Sequence, residues 1–172
     1  MQLDHPNTKL MAPTRAAGEA TLSAFAPRMG KGYTNGRNHD RGAGKHRDVS
    51  MLSPYLRRRL VLEQDAVATA VLEHGAEGAE KFIQEVIWRG YFKGWMERRP
   101  VVWDQYREGL MRDLMALDRD RGLRRRVESA EAYQTGLDYF DNWAEELVET
   151  GYLHNHARMW FASIWIFTLE LP

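Results

Sequence analysis

The sequence predicts an all-α protein. Apolar residues recur at spacings of three and four in several segments, which is the period of an amphipathic helix. No segment alternates apolar and polar residues as a half-buried strand does, and proline or glycine stands at the expected helix ends. With 172 residues, of which 44% are hydrophobic and 28% charged, the chain can bury one core. We therefore expect a single helical domain over residues 1–172.

The first quarter of the chain predicts one helix and one long loop. Alanine, leucine and phenylalanine recur at helical spacing after Thr14, and Pro27 ends the pattern. From residue 29 to residue 50, glycines alternate with lysines and arginines. This composition is typical of a basic, glycine-rich loop.

Three further helices are predicted before residue 100. One begins at Ser53, because serine is a common N-cap and a proline, here Pro54, suits the first helical position. The next covers residues 63–73 and ends at His74 and Gly75, and a longer one covers residues 78–98.

The helix over residues 78–98 has two distinct faces. An apolar stripe comprises Phe82, Ile83, Val86, Ile87, Tyr91 and Trp95, and a second face comprises Glu85, Trp88, Arg89 and Phe92. A carboxylate and a guanidinium among aromatic rings are costly to desolvate without a partner. Either Glu85 and Arg89 pair across one turn, or both face a ligand.

The second half of the chain predicts three helices. An amphipathic helix runs from Trp103 to Leu117, and residues 119–126 read as a charged connection. The last two helices cover residues 137–149, which Gly151 ends, and residues 154–171. The final helix places Asn155, Arg158, Met159 and Ala162 on one face. A polar network in the core explains that face as well as a ligand site does.

Composition excludes several functions. The 24 basic residues balance the 24 acidic ones, which excludes a uniformly basic nucleic-acid coat. The absence of cysteine excludes disulfides, thiolate zinc sites, iron-sulfur clusters and cysteine nucleophiles. Residues 1–13 lack the apolar core of a secretion signal, so we expect a cytoplasmic location. The longest apolar stretch, residues 159–171, is shorter than the roughly 20 residues needed to cross a membrane.

No metal site is expected. His154 and His156 are two residues apart, which places them on different sides of the predicted final helix.

The basic loop has two interpretations. It is either a solvated connection or an anion site built from freed backbone N–H groups, guanidinium groups and the predicted helix start at Ser53. The hydroxyls of Ser50 and Ser53 are candidate donors to a diphosphate. Gly44 and Lys45 do not form a nucleotide phosphate loop, because His46 stands where a serine or threonine is required.

Four sequence blocks, taken in order, resemble the C-terminal, FAD-binding helical domain of the cryptochrome and DNA photolyase family. They are Tyr33 with Arg37 and Asn38, residues 49–56 (VSMLSPYL), residues 82–89 (FIQEVIWR), and Thr135-Gly136 with residues 150–159 (TGYLHNHARM). Each block is modest alone, but four in order over most of the chain are specific. The resemblance implies an all-α FAD-binding domain, truncated at both ends and similar to cyclobutane pyrimidine dimer photolyases.

The resemblance also implies a cofactor site. By matching position, the residues expected to contact FAD are Tyr33, Ser50, Leu52, Ser53, Phe82, Arg89, Asn155 and Arg158. Phe82 stands where the family usually has a tryptophan beside the flavin.

The implied substrate is DNA that contains pyrimidine dimers. Glu85, Trp88, Asn155 and Met159 match the lesion pocket, and relatives acting on 6-4 photoproducts carry histidines at the last two positions. The implied reaction transfers an electron from photoexcited reduced flavin to the flipped-out dimer. Arg37 is expected to contact DNA phosphates, as is His156, which replaces a family arginine.

The chain departs from the family at both ends. No antenna domain precedes residue 1, and the sequence stops at Pro172, before the family's acidic flavin contacts. We therefore expect weakened flavin binding and impaired repair activity. Two other functions stay open: a non-catalytic flavin photoreceptor or redox protein of the cryptochrome type, and a cofactor-free helical module that binds nucleic acid through arginine runs at residues 57–59 and 124–126.

Overall fold

The computed structural model describes residues 11–172 as an all-α chain, which confirms the predicted fold class. Residues 1–10, within which no secretion signal is expected, lie outside the described residues. The described chain comprises two compact units, residues 11–98 and residues 99–172. Over its described length no helix is long and apolar enough to span a membrane.

The unit of residues 11–98 holds a short 3-10 helix, Ala26–Arg28, and five α-helices. They are α1 (Arg15–Phe25), α2 (Lys31–Gly36), α3 (Ser53–Arg57), α4 (Glu63–Gly78) and α5 (Glu80–Glu97). The predicted positions of α1, α4 and α5 are confirmed to within a few residues. Gly75, the predicted end of α4, has a φ of +70° and kinks the helix there, so the last turn continues only beyond the kink.

Helix α2 lies inside the segment that the sequence predicts as a loop. Its glycines give it poor helix propensity, so tertiary packing must supply its stability. Tyr33, on α2, packs edge-on against Phe25, with ring centroids 6.1 Å apart, and against Phe82, with centroids 5.3 Å apart. These three rings lie in the buried core of the unit.

The prediction that Ser53 caps α3 is wrong. Leu52 occupies the N-cap position, and Ser53 is the first helical residue, with no side-chain bond to the helix start. The difference is one residue, but it removes the expected cap. Since α3 has only five residues, its N-terminus also carries little of the dipole on which the predicted anion site relied.

The unit of residues 99–172 holds four helices. They are α6 (Pro100–Arg119), α7 (Arg121–Glu131), α8 (Asp138–Thr150) and α9 (Asn155–Ser163), and α9 continues into a π-helical turn, Ile164–Thr168. The predicted final helix therefore starts one residue later than expected and ends before residue 171. The core of the unit of residues 99–172 contains Phe140, which is fully buried and stacks on Phe161 with ring centroids 4.4 Å apart.

Helix α7 replaces the charged connection predicted for residues 119–126. Asp120 caps it, because its carboxylate accepts from the backbone N–H groups of Leu123 and Gly122, and these bonds lower the pKa of Asp120. Val127 and Ala130 on α7 are buried. The arginines therefore lie on the outer face of a short amphipathic helix.

Candidate functional site

Glu85 pairs with Arg37. Arg37 is the C-cap residue of α2. Its guanidinium Nη1 donates to Oε1 of Glu85 on α5 over 2.7 Å. The two side chains are 27% and 47% exposed, so the pair lies at the surface of the unit. The structure thus joins the expected DNA-phosphate contact to the expected lesion-facing carboxylate.

Arg89 pairs with a residue that the sequence does not single out. Its Nε lies 3.4 Å from Oε1 of Glu63, the first residue of α4, and is buried without a hydrogen-bond acceptor among the described residues. Of the two interpretations of this face, the pairing of Glu85 with Arg89 across one turn is therefore wrong, because each side chain finds its partner on another element.

Trp88 lies on the exposed side of α5, one turn from Glu85. Its ring packs edge-on against Tyr91, with centroids 5.3 Å apart, and Phe92 stacks on Trp95 one turn further along. Ile87 and Tyr91, both assigned to the apolar stripe, are each 61% exposed, so only the part of the stripe around Phe82 and Val86 is in the core.

Three of the expected cofactor contacts are packed inside the unit. Tyr33, Leu52 and Phe82 are all buried in its core, where they contribute to one hydrophobic cluster. They offer apolar walls rather than open surfaces to a ligand.

The two serines differ in their surroundings. The Ser50 hydroxyl accepts from the backbone N–H of Leu52 over 3.3 Å, which closes a tight turn. Met51, which lies between Ser50 and Leu52, has a φ of +56°, a left-handed conformation that is unusual for a residue with a side chain of this size. Ser53 is exposed, and within residues 11–172 its hydroxyl has no hydrogen-bond partner.

These side chains fit a flavin cofactor in their donor chemistry. The Nε of Arg89 needs an acceptor, and the Ser53 hydroxyl is available to one. A dinucleotide carries both phosphate and ring oxygens that accept such bonds.

The basic loop folds around a hollow of about 860 Å³. Arg41, Lys45, His46 and Arg47 line it, together with Asp40, Gly44 and Met51. Gly42 and Gly44 have positive φ values of 82° and 71°, which few other residues adopt, and Asp40 Oδ1 accepts from the N–H of Gly42.

Asp48 orients two of these arginines. Its carboxylate binds Nε of Arg41 and lies 3.9 Å from Nε of Arg47. The hydrogen bond from Arg41 is the main reason that the pKa of Asp48 is lowered, so this carboxylate stays ionised to a lower pH than an ordinary aspartate does. Nη1 of Arg28 donates to the carbonyl of Arg47 over 2.8 Å and anchors the same edge.

In the unit of residues 99–172, Asn155 and Met159 lie one turn apart on an exposed side of α9. Nη2 of Arg158 donates to the carbonyl of Leu153 over 3.2 Å, which ties this guanidinium to the preceding turn.

His154 and His156 do not lie on different sides of one helix. His154 is buried and caps α9: its Nδ1 accepts from the N–H of His156 over 3.3 Å. The two rings stack with centroids 5.7 Å apart. His154 precedes the helix, and helical spacing therefore does not apply to this pair.

The structure brings together some of the predicted site residues and leaves others apart. Arg37, Glu85 and Trp88 are neighbours in one unit, and Asn155 and Met159 are neighbours in the other. Sequence reasoning missed Glu63 and Asp48 as partners of the arginines. The only sequence signal for them was an acidic residue at the start of a predicted helix and one inside a basic segment.

Comparison with known proteins finds relatives but no matching family model and no matching solved structure. Deoxyribodipyrimidine photo-lyases from two strains of Thermus thermophilus are 31% and 30% identical to this chain over 175 aligned residues. These alignments cover 98% of this chain and 38% of each relative. A deoxyribodipyrimidine photo-lyase from Streptomyces griseus is 31% identical over 132 residues, 76% of this chain and 27% of that protein.

Proposed function

We propose that this chain, which belongs to the DNA photolyase family, serves light-driven, FAD-dependent repair of cyclobutane pyrimidine dimers in DNA. The family members found in these comparisons are more than twice its length. The observation that carries this proposal is the group formed by Glu85, Trp88 and Arg37. An acceptor, a large exposed ring and a cation lie next to one another on one surface, as recognition of a flipped-out pyrimidine dimer and the phosphates beside it requires.

Each of these side chains has a distinct role in the proposal. Glu85 hydrogen-bonds the extruded dimer, and Trp88 offers a face on which the pyrimidines stack. Arg37 binds a phosphate beside the lesion, as a guanidinium does well. On α9, Asn155 and Met159 are the proposed lesion contacts, and His156 is a further DNA contact. A hydrogen bond that is donated to the dimer strengthens as negative charge develops on the dimer, and such a bond accelerates its cleavage.

Reduced FAD, when bound, would supply the electron that this chemistry needs and would take it back once the dimer is cleaved. We propose that Ser53 and Arg89 hydrogen-bond the cofactor, that Ser50 shapes the turn beside it, and that Tyr33, Leu52 and Phe82 form its apolar walls. Asn155 and Arg158 are the proposed contacts from α9. The support is the Nε of Arg89, which lacks an acceptor within the described chain, and the exposed Ser53 hydroxyl, together with the family resemblance.

The substitution Glu85→Ala tests the lesion-facing role. We expect the variant to retain the flavin content of the wild type and to repair a dimer-containing oligonucleotide more slowly under blue light. The matched control is Glu19→Ala, which removes a comparably exposed, arginine-paired glutamate on α1 and should leave both readouts unchanged. A loss of flavin equal to the loss of repair would contradict the placement of Glu85 at the lesion.

The basic hollow favours a second candidate, a cofactor-free module that binds nucleic acid. A colourless purified protein with salt-dependent affinity for DNA would support that function. A flavin-loaded protein without repair activity would instead support a photoreceptor or redox role.

A further inference from the structure

Helix α6 carries an apolar stripe that its own unit leaves uncovered. The members of this α6 stripe recur at spacings of three and four and lie on one side of the helix: Trp103, Tyr106, Leu110 and Leu114. They are 57%, 57%, 44% and 47% exposed, and no residue of α6 is buried. We propose that the α6 stripe is the interface of a homodimer, in which α6 of a second copy of this chain packs antiparallel against it.

The first argument is the area of the exposed apolar surface. An aromatic side chain that is fully covered buries roughly 150–250 Å². Trp103 and Tyr106 each expose more than half of their surface, and Met111, beside the stripe, is 55% exposed. Two copies of the stripe with Met111 can therefore bury about 1,200 Å² in total, which is the lower end of the range for specific interfaces. Tryptophan, tyrosine and methionine are also enriched in such interfaces.

The second argument is the charge of α6. The helix carries four carboxylates and three guanidinium groups, and the two signs are interspersed. A helix that lies on an anionic membrane surface or binds nucleic acid carries an excess of basic residues instead. Both signs on one helix suit a partner surface that also carries both signs, as a second copy of α6 does.

The third argument is that one border of the α6 stripe complements itself when it is reversed. Along this border stand Arg107, Met111, Leu114 and Asp118, at spacings of four, three and four. In an antiparallel pair with two-fold symmetry, the same border of both helices meets. When Met111 lies opposite Leu114 of the other copy, Arg107 lies opposite its Asp118, and symmetry repeats both contacts.

The charged groups of this border are available for such contacts. Within residues 11–172 no carboxylate pairs with Arg107. Asp118 is 75% exposed and uses Oδ1 to bind Arg124, which leaves its Oδ2 open. On the other border, Asp113 of the two copies would face each other, but Nε of Arg112 lies 3.6 Å from Oδ1 of Asp113 and offsets its charge.

The border is also concave. A groove of about 810 Å³, lined by residues of α6 alone, runs beside Arg107 and Met111 and can receive side chains of the second copy. The inference is independent of the proposed repair function, because it requires neither FAD nor DNA.

The test measures the mass of the full chain by sedimentation equilibrium at about 1–100 μM, where an interface of this size should populate a dimer. Leu110→Arg places a charge in the centre of the stripe and should raise the dissociation constant of the dimer about 100-fold. The matched control is Gln105→Arg, which adds the same charge on the opposite, exposed side of α6 and should leave the constant unchanged. Because both positions are exposed in the single chain, both variants should keep the circular dichroism spectrum of the wild type.

Two charge reversals test the antiparallel arrangement. Arg107→Asp alone and Asp118→Arg alone each place like charges opposite one another twice, and each should weaken the dimer about tenfold. An equimolar mixture of the two variants should recover the affinity of the wild type, because every reversed charge then meets an opposite charge on the other copy.

Three results would overturn the proposal. The first is a wild type that stays monomeric at about 100 μM, and the second is a dimer that persists in Leu110→Arg, since another surface then holds it. The third is a mixture of the charge-reversed variants that associates no better than either variant alone. If the wild type is monomeric, Leu110→Cys in this cysteine-free chain identifies what replaces the dimer. A thiol that resists maleimide shows that the same chain covers the stripe, and a thiol that reacts freely shows that the stripe is open to a different partner.

Discussion

The ion pair between Arg37 and Glu85 should contribute measurably to folding stability. It joins residues 48 positions apart in sequence and thereby fixes the end of α2 against α5. We consider the single variants Arg37→Ala and Glu85→Ala and the corresponding double variant. Their free energies of unfolding give the coupling energy of the pair without the other contacts of each side chain.

Its magnitude lies between two limits. For charges 2.7 Å apart, Coulomb's law gives about 1.5 kcal/mol in water and about 6 kcal/mol at an effective dielectric constant of 20. Exposure of 27% and 47% places the pair near the aqueous limit, and ordering two long side chains opposes it. We therefore expect a coupling energy of about 1 kcal/mol.

Urea unfolding followed by circular dichroism measures this energy. The control is the Arg15–Glu19 pair, which is equally short at 2.6 Å but is 66% and 54% exposed and lies within one helix. Its coupling should be only about 0.3–0.5 kcal/mol. Raising the salt concentration to about 1 M should weaken both. If Arg37 and Glu85 couple no more strongly than the control pair, the reasoning from burial is refuted.

Four other substitutions have defined outcomes. Gly18→Ala should cost about 1–3 kcal/mol in thermal unfolding, because the new Cβ would lie 2.8 Å from Cγ2 of Val61. Gly151→Ala should cost about 1–2 kcal/mol of folding stability, because φ is +66° at this C-cap of α8. Gly90→Ala should stabilise the protein by about 0.5–1 kcal/mol, because Gly90 lies within α5 and a Cβ there would meet only open space. Asp120→Asn should keep the cap of α7. Since the pKa of Asp120 is lowered in the folded state, the wild type should lose more stability than the variant as the pH falls below about 4 through that lowered pKa, while both proteins keep the acid sensitivity that Asp48 contributes. Equal acid titration of stability in both proteins would contradict this.

Sequence alone predicts the helices whose ends carry strong local signals. Gly151 ends α8 as predicted, because its positive φ terminates the helix, and the break in α4 at Gly75 has the same cause. Helix α2 lacks such signals, because its stability comes from Tyr33 contacting rings distant in sequence. Helix α7 had a signal that its arginines obscured: Leu123, Val127 and Ala130 follow Asp120 at helical spacing.

The candidate site is harder to predict than the fold. Spacing along α5 correctly places Glu85 and Trp88 on one exposed side of the helix. It cannot supply the partners of its charges, since Arg37 and Glu63 come from other helices. Helical spacing suggested a pair between Glu85 and Arg89 because residues four apart lie on the same side of a helix. It contains no information about residues from other helices that tertiary packing brings close.

The left-handed backbone at Met51 restricts which amino acids this position can accept. Glycine relieves the steric conflict, and asparagine tolerates it, whereas valine and isoleucine carry a second branch at Cβ that worsens it. A saturation library at codon 51 should therefore be enriched in glycine and asparagine and depleted of β-branched residues after selection for folded protein. Codon 53, which encodes Ser53, should tolerate a broader set of amino acids in the same selection, since the Ser53 side chain is exposed and caps no helix.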